Sequence, residues 1–213
     1  MTRAIKICGI STVEALDAAI DARADFVGFV LFPPSPRHID GHAASALAMR
    51  AGDRIGRVGL FVNADDGLIA DSMKAGRLDA LQLHGKETPE RVSQVKARFG
   101  LPVWKAISVA TPKDVVNANA YRDVADLLLF DAKTPDDAAL PGGMGLRFDW
   151  SLLDGWKGRP GWGLAGGLTP QTVAGAIQQL RPPLVDTSSG VESAPGEKDA
   201  SLIHAFCEAV RNA

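Results

Sequence analysis

The chain has 213 residues, 46% of them hydrophobic, and a formal net charge of -2. This length and apolar content suit one large α/β domain, and we expect a single domain over residues 1–213. A charge so close to zero argues against nucleic-acid and membrane partners. No apolar run approaches the length of a membrane span.

Cysteine usage indicates a reducing compartment. Cys8 and Cys207 lie at opposite ends of the chain and do not form the pattern of a disulfide framework. The first residues lack the basic and apolar segments of a signal peptide. We therefore expect a cytoplasmic protein.

Short apolar runs alternate with amphipathic segments along the chain. In the first run, residues 5–8, Ile5 and Ile7 share one face, and Lys6 and Cys8 share the other. Further strands are predicted over residues 26–31, 57–62, 80–83, 103–107, 127–130, 162–165 and 184–186. Continuously apolar strands are typical of a parallel sheet that is covered on both faces.

Local start signals predict helices between these strands. Ser11 and Glu14 have the spacing of a capping box. Threonine-proline pairs at residues 88–89, 111–112 and 169–170 predict three more helix starts, with threonine as the N-cap. The remaining helices are predicted over residues 42–51, 68–75, 148–153 and 199–211.

Eight strands, each followed by a helix, predict a closed (β/α)8 TIM barrel. A doubly wound open sheet shares the alternation, but the count of eight and the lack of G-x-G-x-x-G after the first strand favour the barrel. Active sites of such barrels lie at the C-terminal ends of the strands. The polar groups predicted there are Cys8, Arg37, His84, Asp131, Gly166-Gly167 and Ser188-Ser189-Gly190.

The segments after the seventh and eighth strands have the composition of a phosphate site. Barrels commonly bind phosphate with these two loops, where glycines expose backbone N–H groups and hydroxyls add donors. Either segment alone would be an ordinary turn. Their occurrence after both strands favours phosphate binding.

Several short motifs follow one another in order along nearly the whole chain. They include Lys6-Ile-Cys8-Gly9, Ser35-Pro-Arg37, Leu81-Gln-Leu-His84-Gly85, Leu129-Phe-Asp131, Pro141-Gly-Gly, Leu164-Ala-Gly-Gly167 and Ser188-Ser-Gly-Val-Glu192. In this order and spacing they resemble the phosphoribosylanthranilate isomerases of tryptophan biosynthesis. The first and the last of these motifs are the most specific.

The resemblance implies an Amadori rearrangement of N-(5-phosphoribosyl)anthranilate to 1-(2-carboxyphenylamino)-1-deoxyribulose 5-phosphate. In that family a cysteine on the first strand is the general base and an aspartate on the sixth is the general acid, which correspond to Cys8 and Asp131. A thiol can act as a base if nearby cations or helix dipoles lower its pKa. An aspartic acid keeps its proton at neutral pH only through burial or an anionic neighbour. Alone, Cys8 could equally be a small buried residue and Asp131 a loop cap.

Three further side chains receive roles. The guanidinium of Arg37 is predicted to clamp the anthranilate carboxylate with two parallel hydrogen bonds. His84 either contacts the substrate or orients a neighbouring loop. Lys6 shares a face with Cys8, so we expect it to point into the barrel and to need a partner, for which Asp186 of the adjacent eighth strand is one candidate.

The expected ligand is a phosphorylated small molecule, with no cofactor and no metal. His38, His42 and His204 show no metal-ligand spacing. The glycine-rich segment 131–147 is either a lid over the site or a mobile surface loop. The sequence leaves open whether the protein is a monomer or a homodimer.

Alternative functions have the same barrel. They are a catalytically idle barrel that binds a phosphorylated ligand, another sugar-phosphate isomerase or epimerase, and an indole-glycerol-phosphate synthase. An epimerase would require metal ligands at the strand ends, which we do not find. The isomerases that serve both the histidine and the tryptophan pathway have Asp where Cys8 stands.

Overall fold

The computed structural model describes residues 3–134, 145–156 and 161–213. Eight parallel strands follow one another in order around a closed barrel. They are β1 (Ala4–Cys8), β2 (Phe26–Val30), β3 (Gly56–Phe61), β4 (Ala80–Leu83), β5 (Val103–Val109), β6 (Leu127–Ala132), β7 (Gly161–Leu164) and β8 (Leu184–Thr187). The predicted (β/α)8 TIM barrel is confirmed.

The barrel closes between its first and last strands. Lys6 of β1 stands opposite Phe26 of β2 on one side and opposite Asp186 of β8 on the other. This register places Lys6 and Asp186 at the same height in the barrel.

Helices cover the outside of the barrel. They are α1 (Val13–Asp21), α2 (Gly41–Ala51), α3 (Asp66–Gly76), α4 (Pro89–Phe99), α5 (Pro112–Asn117), α6 (Val173–Leu180) and α7 (Ala200–Arg211). The predicted threonine-proline starts of α4 and α5 are confirmed, with Thr88 and Thr111 as N-caps. The largest hydrophobic cluster lies between these helices and the strands.

Two predicted helix starts are wrong in detail. Thr12, rather than Ser11, caps α1, and its hydroxyl accepts a hydrogen bond from the backbone N–H of Ala15. The threonine at position 169 does not cap α6, which begins at Val173. The backbone N–H of Thr169 donates to the hydroxyl of Thr172, so the two threonines close a turn before the helix begins.

Two segments depart from the simple alternation of strand and helix. Between β6 and β7 the described residues contain only a 3₁₀ turn, Trp150–Leu153, where a short helix was predicted over residues 148–153. After β8 a short hairpin, which the sequence analysis does not predict, is formed by β9 (Glu192–Ala194) and β10 (Glu197–Lys198). This hairpin adds charged side chains to the site.

The inside of the barrel changes from apolar to polar along the strands. A separate hydrophobic cluster fills its N-terminal part, where the rings of Phe26 and Trp104 meet edge to face at 5.2 Å. Lys6, Gln82 and Asp186 come next along their strands and are buried. Their polar groups lie beneath the site at the C-terminal end.

Candidate active site

Cys8 is the last residue of β1 and is only 5% exposed. Its neighbour across the strand pair is Gly28. A Cβ atom on Gly28 would lie 2.7 Å from the Cys8 sulfur and 3.2 Å from the Lys6 nitrogen. The glycine therefore provides the space in which the thiol and the ammonium group approach each other.

Lys6 is completely buried and forms an ion pair with Asp186. Its Nζ donates to Oδ1 at 3.0 Å and to Oδ2 at 3.1 Å. Burial acts to lower the pKa of Lys6, but the Asp186 carboxylate and the Cys8 sulfur outweigh it and raise that pKa. The predicted pairing is confirmed, and the ammonium group stays charged.

The environment of the thiol combines opposing effects. Burial raises the pKa of Cys8, while the cations Lys6 and Lys198 act to lower it. Burial dominates, so the pKa lies above its ordinary value rather than falling toward neutrality. Once formed, the Cys8 thiolate is correspondingly a strong base.

Asp131 lies in β6 on the rim of the barrel and is 8% exposed. Its Oδ1 accepts the backbone N–H of Ala132 at 2.8 Å, and its Oδ2 lies 3.2 Å from Nε2 of His84. His84 follows β4 and is also in contact with Gln82. The structure places His84 next to Asp131, and the two roles considered for His84, contact with the substrate and orientation of a loop, stay predictions.

The loops after β7 and β8 fit closely against each other. The hydroxyl of Thr187 donates to the carbonyl oxygen of Leu168 at 2.7 Å. A Cβ atom on Gly190 would stand only 1.9 Å from that same oxygen. Only glycine allows this approach, which brings the Gly166-Gly167 and Ser188-Ser189-Gly190 segments to one wall.

Arg37 has a partner that the sequence analysis did not predict. Its Nε and Nη2 donate to the two carboxylate oxygens of Glu192, both at 2.7 Å. The side chains of Arg37 and Glu192 are 6% and 4% exposed. The guanidinium of Arg37 thus already binds a carboxylate of the protein. A substrate carboxylate would have to bind to N–H groups of Arg37 other than the two that donate to Glu192.

Lys198 was also missed. Its Nζ donates to Glu192 and to both the carbonyl oxygen and the hydroxyl of Ser188, and its side chain is 1% exposed. Lys198 and Arg37 therefore share Glu192, which links the arginine loop after β2 to the segment after β8. The motif that ends in Glu192 was a signal for that residue, whereas Lys198 lies in a hairpin without any periodic pattern.

A cavity lies at the C-terminal end of the barrel. Its volume is about 770 Å³ when the open solvent at its mouth is included. Every residue predicted to act on or bind the substrate lines it, namely Cys8, Arg37, His84, Asp131, Gly166, Gly167, Ser188, Ser189 and Gly190. Their individual roles stay predictions.

Comparison with known proteins shows the family. A family model for N-(5'-phosphoribosyl)anthranilate (PRA) isomerase matches residues 5–209. The chain belongs to this family. An N-(5'-phosphoribosyl)anthranilate isomerase of Beijerinckia indica subsp. indica is 55% identical over 207 residues, which cover 97% of this chain and 93% of that protein. The predicted membership in this isomerase family is confirmed.

Solved structures of the family agree in fold over the full length. Monomers generated from the dimeric phosphoribosylanthranilate isomerase of Thermotoga maritima superpose with a TM-score of 0.86 at 36% identity, and 100% of both chains is covered. A phosphoribosyl anthranilate isomerase in complex with reduced 1-(o-carboxyphenylamino)-1-deoxyribulose 5-phosphate has the same TM-score at 35% identity and the same coverage. For this chain, monomer or homodimer stays a prediction.

Two structural features are absent from the described residues. Within residues 3–134, 145–156 and 161–213, no group of three or more His, Cys, Asp or Glu side chains is arranged to hold a metal ion. None of the helices in these ranges is long and apolar enough to cross a membrane. The centre of the predicted lid, including the glycines at 142 and 143, lies outside the described residues.

Proposed function

We propose that this chain catalyses the Amadori rearrangement of N-(5-phosphoribosyl)anthranilate to 1-(2-carboxyphenylamino)-1-deoxyribulose 5-phosphate in tryptophan biosynthesis. Asp131 is the general acid and Cys8 the general base. The observation that carries the proposal is the presence of both residues in one buried cavity, together with an arginine and two glycine- and serine-rich loops. The relative that binds a reduced form of this product supports the choice of ligand.

The substrate has an anion at each end. Backbone N–H groups at Gly166-Gly167 and Ser188-Ser189-Gly190 bind the phosphate, with help from the serine hydroxyls. Arg37 binds the anthranilate carboxylate, using N–H groups that do not contact Glu192. Binding at both ends holds the sugar between Asp131 and Cys8.

The chemistry consists of proton transfers. Asp131 donates a proton to the furanose ring oxygen, the bond from C1 to that oxygen breaks, and the nitrogen lone pair forms a protonated imine. The Cys8 thiolate then removes the proton from C2. The electron pair of that bond forms the C1–C2 double bond, and the imine electrons return to nitrogen. The resulting enolamine tautomerises to the ketone, and proton exchange with water restores Asp131 and Cys8.

Lys6 assists the base through charge. The ammonium group favours the thiolate form of Cys8, which burial alone would disfavour. Because Asp186 neutralises Lys6 within the barrel, the ion pair places a cation next to the thiol without an unpaired buried charge.

The test is turnover of freshly prepared phosphoribosylanthranilate, followed by the loss of its fluorescence. Removal of a general acid or base typically lowers the catalytic rate by roughly 10²- to 10⁴-fold. Cys8→Ala and Asp131→Asn should therefore lower kcat by at least two orders of magnitude. Cys207→Ala removes the other thiol, which lies in the core, and should leave kcat unchanged. An inactive but folded wild-type protein would overturn the proposal and favour another sugar phosphate as substrate.

A further inference from the structure

Gln82 is a fully buried polar side chain inside the barrel, next to the site. It lies in β4 between Leu81 and Leu83 and is 0% exposed. Its Nε2 is 2.9 Å from Nδ1 of His84, whereas its Oε1 has no hydrogen-bond partner among the described residues. A buried amide with one unsatisfied end destabilises the fold, so its presence calls for another explanation.

The contact of Gln82 continues to the proposed acid. Nε2 of His84 lies 3.2 Å from Oδ2 of Asp131. The two atoms are within hydrogen-bond distance, but the ring nitrogen does not meet the angular requirement of a hydrogen bond. Gln82, His84 and Asp131 thus form a row from the barrel interior to the cavity, and both His84 and Asp131 line that cavity.

The amide group of Gln82 suits either tautomer of the His84 ring. With Nε2 toward the ring, Gln82 donates to Nδ1, and the ring proton sits on Nε2 and faces an Asp131 carboxylate. After a half-turn of the amide, Oε1 accepts from a protonated Nδ1, and the lone pair of Nε2 faces a protonated Asp131. The half-turn loses no hydrogen bond, because only one end of the amide is used in either orientation.

We propose that Gln82 is a positioning residue for the general acid, because it keeps the His84 ring matched to both protonation states of Asp131. The proposal rests on the function of Asp131 proposed above. Gln82 itself passes no proton. The ring changes tautomer by proton exchange with water between the two states, so His84 itself stays neutral in both.

Other ionisable groups act on the same ring and must be considered in any pH profile. Asp186 of β8 interacts electrostatically with both His84 and Asp131. The described groups around the row are Lys6 and Cys8 of β1, Lys105 of β5, Asp131 of β6, Asp186 of β8, and Glu87 of the loop after β4. Lys6 is paired with Asp186 and Lys105 with Glu87. Cys8 and Asp131 both change charge in the proposed cycle, and Asp131 is the one of the two that lies next to the His84 ring.

The experiment reads the His84 ring directly. Nitrogen-15 NMR of the ring nitrogens distinguishes the two tautomers and the charged form, and His84→Asn identifies the signal among the four histidines. We expect a proton on Nε2 in the wild type at a pH above the limb of the kcat profile that reports the acid, where Asp131 is a carboxylate. In Asp131→Asn, whose amide imitates a protonated acid, we expect the proton on Nδ1.

Gln82→Met keeps a similar shape but removes both hydrogen-bonding groups. We expect the two His84 tautomers to become mixed, kcat to fall roughly three- to tenfold, as for one lost hydrogen bond, and KM to change little. The limb of the kcat pH profile that reports the acid should also move. Gln94→Met, an exposed substitution on α4, is the matched control and should change neither the NMR signals nor kcat.

Each outcome separates this proposal from the proposed function. If Gln82→Met leaves the His84 signals as in the wild type, Gln82 does not position the ring. If the signals change but kcat and its pH profile do not, the ring has no role in acid catalysis, and the proposal is equally overturned. If the wild type does not isomerise the substrate, the function fails, while the NMR comparison still decides whether Gln82 controls the ring.

Discussion

The ammonium group of Lys6 lies between Asp186, to which it is hydrogen-bonded at 3.0 and 3.1 Å, and the thiol of Cys8. Asp186 and Lys6 act on the thiol in opposite directions. The cation lowers the pKa of Cys8 and the carboxylate raises it, while burial raises it further. The reactivity of Cys8 therefore reports on the ion pair beneath it.

The first prediction concerns this ion pair. In Asp186→Asn the Lys6 charge is no longer neutralised, so the pKa of Cys8 should fall and alkylation by iodoacetamide at pH 8 should become faster. In Lys6→Met the pKa should rise and alkylation should slow. The measurement is the alkylation rate against pH.

As a control, all three proteins carry the additional substitution Cys207→Ala, so that Cys8 is the one thiol that can react. Burial raises the pKa of Cys207 to about 11, so its own contribution near pH 8 is small. Identical rate profiles in all three proteins would contradict a role of Lys6 in activating the thiol.

The second prediction concerns Glu192, which lies between Arg37 and Lys198. Glu192→Gln keeps the shape but leaves one acceptor oxygen for two arginine donors, so Arg37 should lose its fixed orientation. Because charge-assisted hydrogen bonds are the strong ones, we expect KM to rise about tenfold with a smaller change in kcat. Steady-state kinetics measure both constants.

Lys198→Met tests the other side of the same network, because it removes the donor to Ser188. It should also raise KM, and it should weaken inhibition by inorganic phosphate. Lys113→Met, an exposed lysine of α5, is the matched control. An effect of the same size in Lys113→Met would assign the change to overall charge instead of the network.

The third prediction concerns the close fit of the loops after β7 and β8. A Cβ atom on Gly190 would overlap the carbonyl oxygen of Leu168, so Gly190→Ala must push the two loops apart. Losing one charge-assisted hydrogen bond to phosphate corresponds to a roughly ten- to hundredfold higher inhibition constant for inorganic phosphate. Competitive inhibition measurements give this constant.

Gly175→Ala is the control for this substitution. Gly175 lies in α6, and a Cβ atom there meets nothing within 4 Å. Alanine in a helix is about 0.5–1 kcal/mol more stable than glycine, so this variant should unfold at a slightly higher temperature with unchanged inhibition. Equal phosphate affinity in Gly190→Ala and the wild type would contradict a phosphate site at this wall.

The sequence predicted what depends on alternation and on barrel closure. Lys6 and Cys8 share a face because side chains alternate along a strand, and Lys6 meets Asp186 because β1 pairs with β8. The position of the loops after β7 and β8 next to each other was predicted from strand order alone. These relationships hold for any sequence that forms the barrel, so residue spacing was sufficient to find them.

The sequence did not predict contacts that depend on irregular backbone. Lys198 reaches the site from a two-residue strand in a hairpin, and so short a segment has no hydrophobic periodicity from which its structure could be predicted. The contact between His84 and Asp131 joins strands that are not neighbours in the barrel, at a distance set by side-chain packing. The position of Gln82 within an apolar strand could have indicated a buried polar side chain. Its hydrogen-bond partner, however, could not be predicted from residue spacing.

The last prediction concerns a buried ion pair that supports the loop carrying His84. Nζ of Lys105 donates to Glu87 and to the carbonyl oxygens of Leu83 and Gly85, the two residues that flank His84. Both charged side chains are 3% exposed. Removing one partner of a buried pair costs about 3–5 kcal/mol, so Glu87→Gln should lower the free energy of unfolding by about this amount at pH 7.

The loss should depend on pH. Burial already lowers the pKa of Lys105 in the folded protein, against the attraction of Glu87. Without the carboxylate this pKa falls further below its unfolded value near 10.5. The folded variant then binds fewer protons than the unfolded chain over the interval between the two pKa values, so its stability rises with pH across that interval. Urea denaturation between pH 7 and 10 should thus show that the free energies of unfolding of Glu87→Gln and the wild type become more similar as the pH rises. Asp17→Asn breaks the exposed pair with Arg50 and should leave the free energy of unfolding nearly unchanged. Two results would contradict an unpaired Lys105 ammonium as the cause. One is a loss of stability in Glu87→Gln as small as that in Asp17→Asn, and the other is a loss that grows with pH.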